Sequence, residues 1–308
     1  MKNLFDIFLK RDSKKKIISF DGGGVRTIAG LVFLMKLEAE SGKKITDIFD
    51  IFVGTSAGAF NAACFAYGDF GADKVKKFWS QSYLDRIMQT SFFWDKASLI
   101  QARPRYESEG RIGVLKEIFG KSTLENSKKP FLSYAYNIES RIHCIHSSLD
   151  TPNISFIDAL AATSAAPMYF PTYQMTDGSW MIDGSIISNN PTLLGYIHAK
   201  KALQTSDIKI LSIGSGRNTT KISGEVSTKW GGVGWLRNDI MGMMLDSEIY
   251  NDISREFLND NYLRINSPMG SVNRFLDDDS DENIEKIHLM GMEWWSLFGE
   301  KALKFIEN

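Results

Sequence analysis

Residues 51–67 read IFVGTSAGAFNAACFAY. Three apolar residues, typical of a short buried strand, run into the pattern G-x-S-x-G at Gly54–Gly58, and the alanine-rich stretch to about Tyr67 predicts a helix. A serine in this pattern between a strand and a helix is typical of a nucleophile elbow, in which a sharp turn lifts the hydroxyl of Ser56 clear of the sheet. The alternative is a tight strand–helix turn that contains a serine by chance.

Short β-branched runs and helical stretches alternate along the rest of the chain, a pattern that predicts an α/β fold around a largely parallel sheet. The first strand is expected at Lys16–Phe20 and is followed by a helix whose buried face carries apolar residues at helical spacing from Ile28 to Met35. Further strands are expected at 51–53, 131–136, 180–182 and 209–213, and a closing helix at about 282–306. No internal repeat or low-complexity linker marks a domain boundary.

Two segments do not fit this alternation. Residues 89–106 are rich in Phe, Trp, Arg and Pro without a clean period and are interpreted as an irregular insertion near the site. Residues 214–235 contain six glycines and two tryptophans and are interpreted as a long loop. Long loops in compact domains are often functional, so each segment is either a lid or a packed loop.

The composition is that of an ordinary globular protein, with 308 residues of which 43% are hydrophobic and 24% charged. The net charge is -1, from 36 basic and 37 acidic residues, so no global field favours a nucleic-acid partner. The two cysteines, Cys64 and Cys144, each lie in an apolar stretch. They form no disulfide framework or zinc-binding spacing, and we expect two buried free thiols in a reducing compartment.

The N-terminal segment, residues 1–15, is interpreted as an apolar and basic lead-in to the first strand. No apolar run approaches the roughly 20 residues that cross a bilayer, and the basic cluster follows the apolar part, unlike a secretory signal. The sequence therefore predicts a cytoplasmic protein. Apolar residues at 4–9 followed by basic residues at 10–16 favour peripheral contact with anionic membranes. The alternative is that residues 4–9 pack against the domain.

Asp183 is the candidate base for Ser56. It follows the strand expected at 180–182 and precedes Gly184, so it lies at a strand end, and a carboxylate within hydrogen-bond reach can take the serine proton directly. A turn aspartate without catalytic role is the alternative. A histidine base is disfavoured, because His198 and His288 lie within helical stretches and not on a loop after a strand.

The loop Asp21–Arg26, with the sequence DGGGVR, is the third candidate element. Its three consecutive glycines present backbone N–H groups that can hold an anion, either a tetrahedral oxyanion or a substrate phosphate, and Arg26 adds charge. The start of the helix after Ser56 places the Ala57 N–H near the same oxyanion. A nucleotide site is disfavoured, because neither G-x-G-x-x-G nor a following Gly-Lys-Ser/Thr is present.

The acidic run at 277–282, DDDSDE, has the charge of a calcium loop but not its pattern. The glycine that an EF-hand loop requires at its sixth position is Glu282, and His288 stands in place of its last ligand. We interpret the run as a solvated acidic loop whose last residues favour the N-terminus of the final helix, and we expect no metal or other cofactor.

These motifs together resemble the patatin-like phospholipase family. Its D-G-G-G-x-R/K loop, G-x-S-x-G elbow and later D-G-G/A appear here in order at Asp21–Arg26, Gly54–Gly58 and Asp183–Ser185. The stretch Ala162–Pro167 with Tyr169-Phe170-Pro171 is similar to the family's A-T-S-A-A-P…F-P segment. Leu211–Gly216, Trp230–Trp235 and Asn261–Ile265 resemble the plant branch. The resemblance covers about residues 16–305, so we expect one catalytic domain at 16–308.

The resemblance implies a three-layer α/β/α sandwich and a Ser56–Asp183 dyad without histidine. It also implies an oxyanion hole lined by Gly22, Gly23 and Gly24 with Arg26, and substrates among phospholipids, galactolipids and other fatty-acyl esters, with no metal. Ser185 departs from the Gly or Ala that the family more often has, and it puts a hydroxyl beside the base. An acyltransferase on the same dyad and a catalytically silent scaffold are the alternatives to a hydrolase.

Overall fold

Eight strands of the described chain form one sheet in this computed structural model, which describes residues 14–90, 103–238, 240–245 and 248–307. The strands are β1 Lys15–Phe20, β2 Ile51–Gly54, β3 Phe131–Asn137, β4 Ile142–Ser147, β5 Tyr173–Gln174, β6 Trp180–Asp183, β7 Ile208–Ile213 and β8 Tyr262–Ile265. Their order is β5-β6-β3-β2-β1-β7-β8, and β4 also pairs with β3. The neighbouring strands β3, β2, β1, β7 and β8 run parallel to one another. β4 and β6 pair antiparallel with β3, and β5 pairs antiparallel with β6. The expected α/β fold with a mostly parallel sheet is confirmed.

Helices cover both faces of this sheet. They are α1 Ile28–Ser41, α2 Ile45–Ile48, α3 Ala57–Tyr67, α4 Ala72–Lys77, α5 Gln81–Ile87, α6 Ser108–Phe119, α7 Phe156–Thr163, α8 Thr192–Leu203, α9 Gly224–Ser227, α10 Gly232–Arg237, α11 Ile240–Leu245, α12 Ile249–Leu258 and α13 Asp281–Glu307. Adjacent residues of β1 show the two layers. Ile18 packs in the core cluster with α1, α3 and α13, while Ile17 packs in a second cluster with α8, because successive strand residues face opposite sides.

The closing helix is confirmed as α13, at Asp281–Glu307 against the expected 282–306. Its inward side buries Ile287, Met290 and Trp294 in the larger core cluster, where the helix packs along α1. The apolar residues at helical spacing identified this face in advance, because such a stripe can be buried only against another element.

The sequence did not predict β4, β5 or β8. β4 carries exposed residues at its start and buried ones at its end, so it lacks the alternation of a half-buried strand. The expected loop 214–235 contains the short helices α9 and α10, and β1 begins one residue earlier than the expected boundary. Of the proposed membrane-contact segment 4–16, residues 4–13 lie outside the described residues, as does most of the insertion, residues 91–102. The last two lysines of the membrane-contact segment belong to β1, where Lys15 is buried, so Lys15 is not available for contact with a membrane.

Both cysteines are free thiols, as expected. Cys64 is buried in α3, and burial raises the pKa of its thiol well above the ordinary value. The expectation of burial is wrong for Cys144, which is only partly buried on β4, because the outer end of that strand lies near solvent. Within the described residues, no helix combines the length and the apolar character that crossing a bilayer requires.

Candidate active site

The strand pairing explains how Ser56 and Asp183 meet. β2 runs parallel to β3 and ends with Gly54 beside Ser133, whereas β6 runs antiparallel to β3 and ends with Asp183 beside Ala135. The carboxyl ends of β2 and β6 therefore approach each other along β3. The two pairing positions are two residues apart, a separation of about 7 Å. The residue two positions after β2, Ser56, consequently lies within reach of the last residue of β6.

Ser56 has the backbone conformation of a sharp elbow. Its φ is 53° and its ψ is -129°, directly before the first residue of α3. Positive φ is uncommon for a residue with a side chain and is found where the surrounding structure enforces it. Here the Ser56 N–H donates to Thr163 Oγ1 at 3.1 Å, and a Cβ on Gly58 would lie 2.3 Å from the backbone oxygen of Asp21. The glycine thus permits the close chain approach on which the elbow depends.

This close approach gives a direct test of the elbow. We expect Gly58→Ala to destabilise the protein by about 1–3 kcal/mol, since backbone has to move to admit the methyl group, and to slow labelling of Ser56 by a fluorophosphonate. The control is Gly113→Ala within α6, where an added Cβ meets nothing within 4 Å. That change should stabilise the helix by about 0.5–1 kcal/mol. Thermal unfolding and labelling rates compare the two variants, and equal behaviour would contradict the packing described.

Asp183 is a buried carboxyl group held by hydrogen bonds. Its side chain accepts from the Ser185 N–H at 2.8 Å, and the hydroxyls of Ser56 and Ser185 are polar neighbours that favour its ionised form. Burial raises the pKa of Asp183 above the ordinary aspartate value, while the polar groups of Ser56 and Ser185 and the charge of Arg111 lower it. A base with a raised pKa is protonated at a higher pH than a free aspartate, so a reaction that requires it slows earlier on the acid side.

None of the four histidines, all of which are described, hydrogen-bonds to Ser56 or Asp183 in this structure. His198 Nε2 lies 2.7 Å from Asp150 and 3.1 Å from Ser147. Both partners contact the same ring nitrogen, whereas a catalytic triad uses the two nitrogens for different partners. His146 is buried on β4, and burial lowers its pKa to about 4. The described geometry therefore favours a carboxylate partner for Ser56.

The glycine loop lies against Ser56 but uses one of its donors elsewhere. The Gly22 N–H donates to the Asn189 carbonyl at 3.1 Å, and the Gly22 carbonyl accepts from Ser215 Oγ at 2.8 Å. A Cβ on Gly22 would lie 3.3 Å from the Ser56 Cβ, so this glycine supplies close approach. Gly24, with a φ of 55°, borders the same pocket as Ser56 and Ala57. This leaves Gly23, Gly24 and Ala57 as the candidate N–H donors to an oxyanion.

Arg26 does not lie where the sequence interpretation expected it. Its side chain is buried, its Nη1 lies 2.7 Å from Met269 Sδ, and it is absent from the residues that line the pocket at Ser56. The side chain runs into the core because it belongs to a short 3-10 helix, Gly24–Thr27, that leads into α1. The Arg26 side chain therefore lies in the core beneath the glycine loop and adds no charge to the pocket.

Arg264 is a functional candidate that the sequence interpretation missed. From β8 it donates through Nη1 and Nη2 to both carboxylate oxygens of Asp21, at 2.8 and 2.5 Å, and Nη2 also lies 3.2 Å from Glu248. The side chains of Arg264 and Asp21 are only 10% and 5% exposed. A buried bidentate pair fixes the direction of a side chain and its backbone, so Arg264 anchors the first residue of the glycine loop.

An apolar pocket opens at Ser56. Most of the described residues that line it are aliphatic or aromatic and come from α3, the turn between α4 and α5, and helices α5, α6 and α7, including Phe60, Phe78, Trp79, Leu84, Val114 and Leu160. The charged side chains on its wall are Arg111 and Asp277. A narrow apolar pocket beside a nucleophile suits a hydrocarbon chain attached to the reacting carbonyl.

The acidic run is less solvated than expected. The side chain of Asp277 is 7% exposed and accepts from Arg105 and from the Tyr106 hydroxyl, both at 2.6 Å. Asp278 accepts from Asn273 and Ser280. The expectation of a solvated loop is therefore wrong for Asp277, because the described end of the 89–106 insertion packs on it at the pocket.

Comparison with known proteins identifies the family of the chain. The family model described as patatin-like phospholipase matches residues 18–195, more than half of the chain. "Patatin-like protein 4" of Arabidopsis thaliana is 28% identical over 328 residues, covering 89% of this chain and 82% of the relative. The "cGAMP-activated phospholipase" of Vibrio cholerae is 28% identical over 226 residues, covering 65% and 64%.

A third relative, "Calcium-independent phospholipase A2-gamma" of Rattus norvegicus, is 26% identical over 319 residues, covering 94% of this chain but 39% of that protein. Among solved structures, VipD from Legionella pneumophila aligns with a TM-score of 0.50 and 14% identity, over 92% of this chain and 67% of that one. The structural likeness supports the fold alone, whereas the family model covers the glycine loop, the elbow and Asp183. The chain therefore belongs to the patatin-like phospholipase family.

Proposed function

We propose that this protein is a lipid acyl hydrolase of the phospholipase A type, which cleaves fatty-acyl esters with Ser56 as nucleophile and Asp183 as base. The observation that carries the proposal is the proximity of the Ser56 hydroxyl to the buried carboxyl group of Asp183, with Ser56 on the wall of an apolar pocket. Family membership supports lipid hydrolysis in general. The dyad, the donors and the ester class belong to this proposal.

Acylation begins with the ester carbonyl against Ser56 and its acyl chain in the apolar pocket. Asp183 takes the proton of the serine hydroxyl as Ser56 Oγ bonds to the carbonyl carbon. The oxygen that becomes negative faces the N–H groups of Gly24 and Ala57, and the positive end of α3 adds to its stabilisation. When the tetrahedral intermediate collapses, the bond to the alcohol oxygen breaks. Asp183 returns its proton to that oxygen, and the lysolipid leaves.

Deacylation uses the same groups in a second cycle. Asp183, ionised again, takes a proton from a water molecule, whose oxygen attacks the acyl carbon of the Ser56 ester. Collapse of the second intermediate breaks the bond to Ser56 Oγ, which recovers its proton from Asp183, and the fatty acid is released. The raised pKa of Asp183 makes the carboxyl a better proton acceptor than a free aspartate.

The names of two relatives support phospholipids as the substrate class. They are called a cGAMP-activated phospholipase and a calcium-independent phospholipase A2. The apolar wall of the pocket is compatible with phospholipids, galactolipids and simple fatty-acyl esters alike. The acyl group on Ser56 can also react with an alcohol in place of water. In that case the enzyme is an acyltransferase.

We expect the purified protein to release fatty acid and lysolipid from phosphatidylcholine vesicles at the same rate in excess chelator and in calcium. The mechanism uses only a serine, a carboxylate and backbone donors, and the described acidic residues Asp277 and Asp278 are bonded to protein groups. Lipid products are measured by mass spectrometry, with Ser56→Ala as the control. A rate that collapses in chelator and returns only with calcium would refute the metal-free mechanism. Acyl transfer to an added alcohol in place of fatty-acid release would identify the acyltransferase.

A further inference from the structure

Residues 163–165 bond to both the nucleophile and the base. Thr163 Oγ1 accepts from the Ser56 N–H at 3.1 Å and itself donates to the Tyr134 carbonyl at 2.5 Å. The carbonyl of Ala165 accepts from the Asp183 N–H at 3.0 Å. The segment begins at the last residue of α7 and contacts both residues, so its position sets the relative placement of Ser56 and Asp183.

Arg111 on α6 holds the middle residue of this bridge. Its Nη1 donates both to the carbonyl of Ser164 and, at 2.9 Å, to Ser164 Oγ. The guanidinium stands 4.3 Å above the centre of the Phe170 ring. Arg111 is therefore hydrogen-bonded to both the main chain and the side chain of Ser164.

The burial of Arg111 is costly and is not compensated by an ion pair. The residue is 4% exposed, no carboxylate of the described residues lies within ion-pair distance, and its Nε and Nη2 have no hydrogen-bond partner there. A buried charge without a bonded counter-ion is unfavourable. Burial lowers the pKa of Arg111 to about 10, with Asp183 acting against that decrease, so the group stays charged near neutral pH.

We propose that Arg111 is a positioning residue of the dyad, which fixes the 163–165 bridge and places a permanent positive charge beside Asp183. The inference rests on the proposed function of Ser56 and Asp183. Its physical basis is that Arg111 is a buried cation near Asp183, whose charge favours the ionised form together with the polar groups of Ser56 and Ser185. Arg111 acts through Asp183 and the bridge and not on the lipid.

The other ionisable groups around the pair do not replace this charge. Tyr173 on β5 faces Arg111 and donates to Asp158 of α7 at 2.8 Å; burial and that bond raise its pKa, so it stays neutral. Tyr134 on β3 is fully buried, and burial raises its pKa as well. At the pocket wall, Asp277 is bonded to Arg105 and Tyr106.

The test compares Arg111→Met, Arg111→Gln and Arg111→Lys on a neutral, soluble ester such as p-nitrophenyl butyrate, over a range of pH. Loss of the charge should move the acid limb of kcat/KM to higher pH by about one unit, which lowers the rate about tenfold below the midpoint. The loss should fall on kcat, with KM little changed. Arg111→Lys should restore the acid limb but not the full kcat, since an ammonium cannot hold Ser164 in the same geometry.

Folding is not expected to limit the experiment, because apolar replacement of an incompletely bonded buried charge is often neutral or stabilising. If Arg111→Met does not fold, Arg111→Gln decides. Arg86→Met on α5, where Arg86 pairs with Glu117 at the surface, is the matched control and should keep the wild-type profile. An unmoved acid limb in the uncharged variants, or a rise in KM alone, would overturn the inference. An even loss at every pH without rescue by Lys would show a merely structural role. A wild-type protein that hydrolyses no ester would refute the proposed function instead.

Discussion

We expect Ser56→Ala and Asp183→Asn each to lower the rate of ester hydrolysis by about a thousandfold or more. The first variant removes the oxygen that bonds to the acyl group, and the second removes the carboxylate that takes its proton. When two groups act together in one step, loss of either one removes nearly all of the rate enhancement. Initial rates on a soluble ester and on phospholipid vesicles measure both effects. His198→Ala is the control, because His198 is bonded to Asp150 and Ser147 and not to the dyad.

We expect Asp183→Asn to lose activity without losing stability. The pKa of Asp183 is raised in the folded protein by burial. The protonated carboxyl group therefore favours the folded state at low pH, and this contribution is lost as pH rises through the raised pKa. At neutral pH the buried negative charge carries a cost. Asp183→Asn, which is uncharged at every pH, should be at least as stable as the wild type at neutral pH. A marked loss of stability, or a His198→Ala variant as inactive as Ser56→Ala, would contradict the dyad.

The second large effect is expected from the buried pair beneath the glycine loop. Arg264→Leu should lower the free energy of unfolding by about 3–5 kcal/mol, because it leaves the carboxylate of Asp21 buried without its bidentate partner. Activity should fall with it, since Asp21 directly precedes the glycines that face Ser56. Urea unfolding at neutral pH measures the change.

Two comparisons make this prediction specific. Lys304→Ala breaks an exposed pair between Lys304 and Glu300, whose side chains are 71% and 83% exposed, and should leave the free energy of unfolding nearly unchanged. The double variant Asp21→Asn/Arg264→Gln should be less destabilised than the sum of its single variants, because neither charge is then left unpaired. An Arg264→Leu protein as stable as Lys304→Ala would contradict the anchoring role.

The elbow and the main strands were predictable because their signals are local. A strand, a sharp turn and a helix are encoded within residues 51–67, and the fold follows from repeated units of this kind. Asp183 was identified from a strand end followed by a turn, and the resemblance of the motifs to a known family is confirmed. In each case the residues that define the feature lie within one short stretch.

The supporting residues had no such signal. Arg264 and Asp21 are 243 positions apart, and Arg111 and Ser164 are 53 positions apart. Nothing in the residue type separates a buried arginine from the many at the surface, and the pairing depends on the order of strands in the sheet. Arg26 shows the converse error, because its place in a charged motif suggested a pocket residue whereas its 3-10 helix turns it into the core.

The catalytic assignment of Ser56 and Asp183 is tested most directly by the rate and position of fluorophosphonate labelling, read by peptide mass spectrometry. The reagent forms a stable bond with an activated serine, so it reports the nucleophile and its base without dependence on the lipid. We predict one adduct, on Ser56, no labelling of Ser56→Ala, slow labelling of Asp183→Asn and wild-type labelling of His198→Ala. Labelling of Ser56→Ala at the wild-type rate, or of Asp183→Asn as fast as wild type, would contradict the dyad.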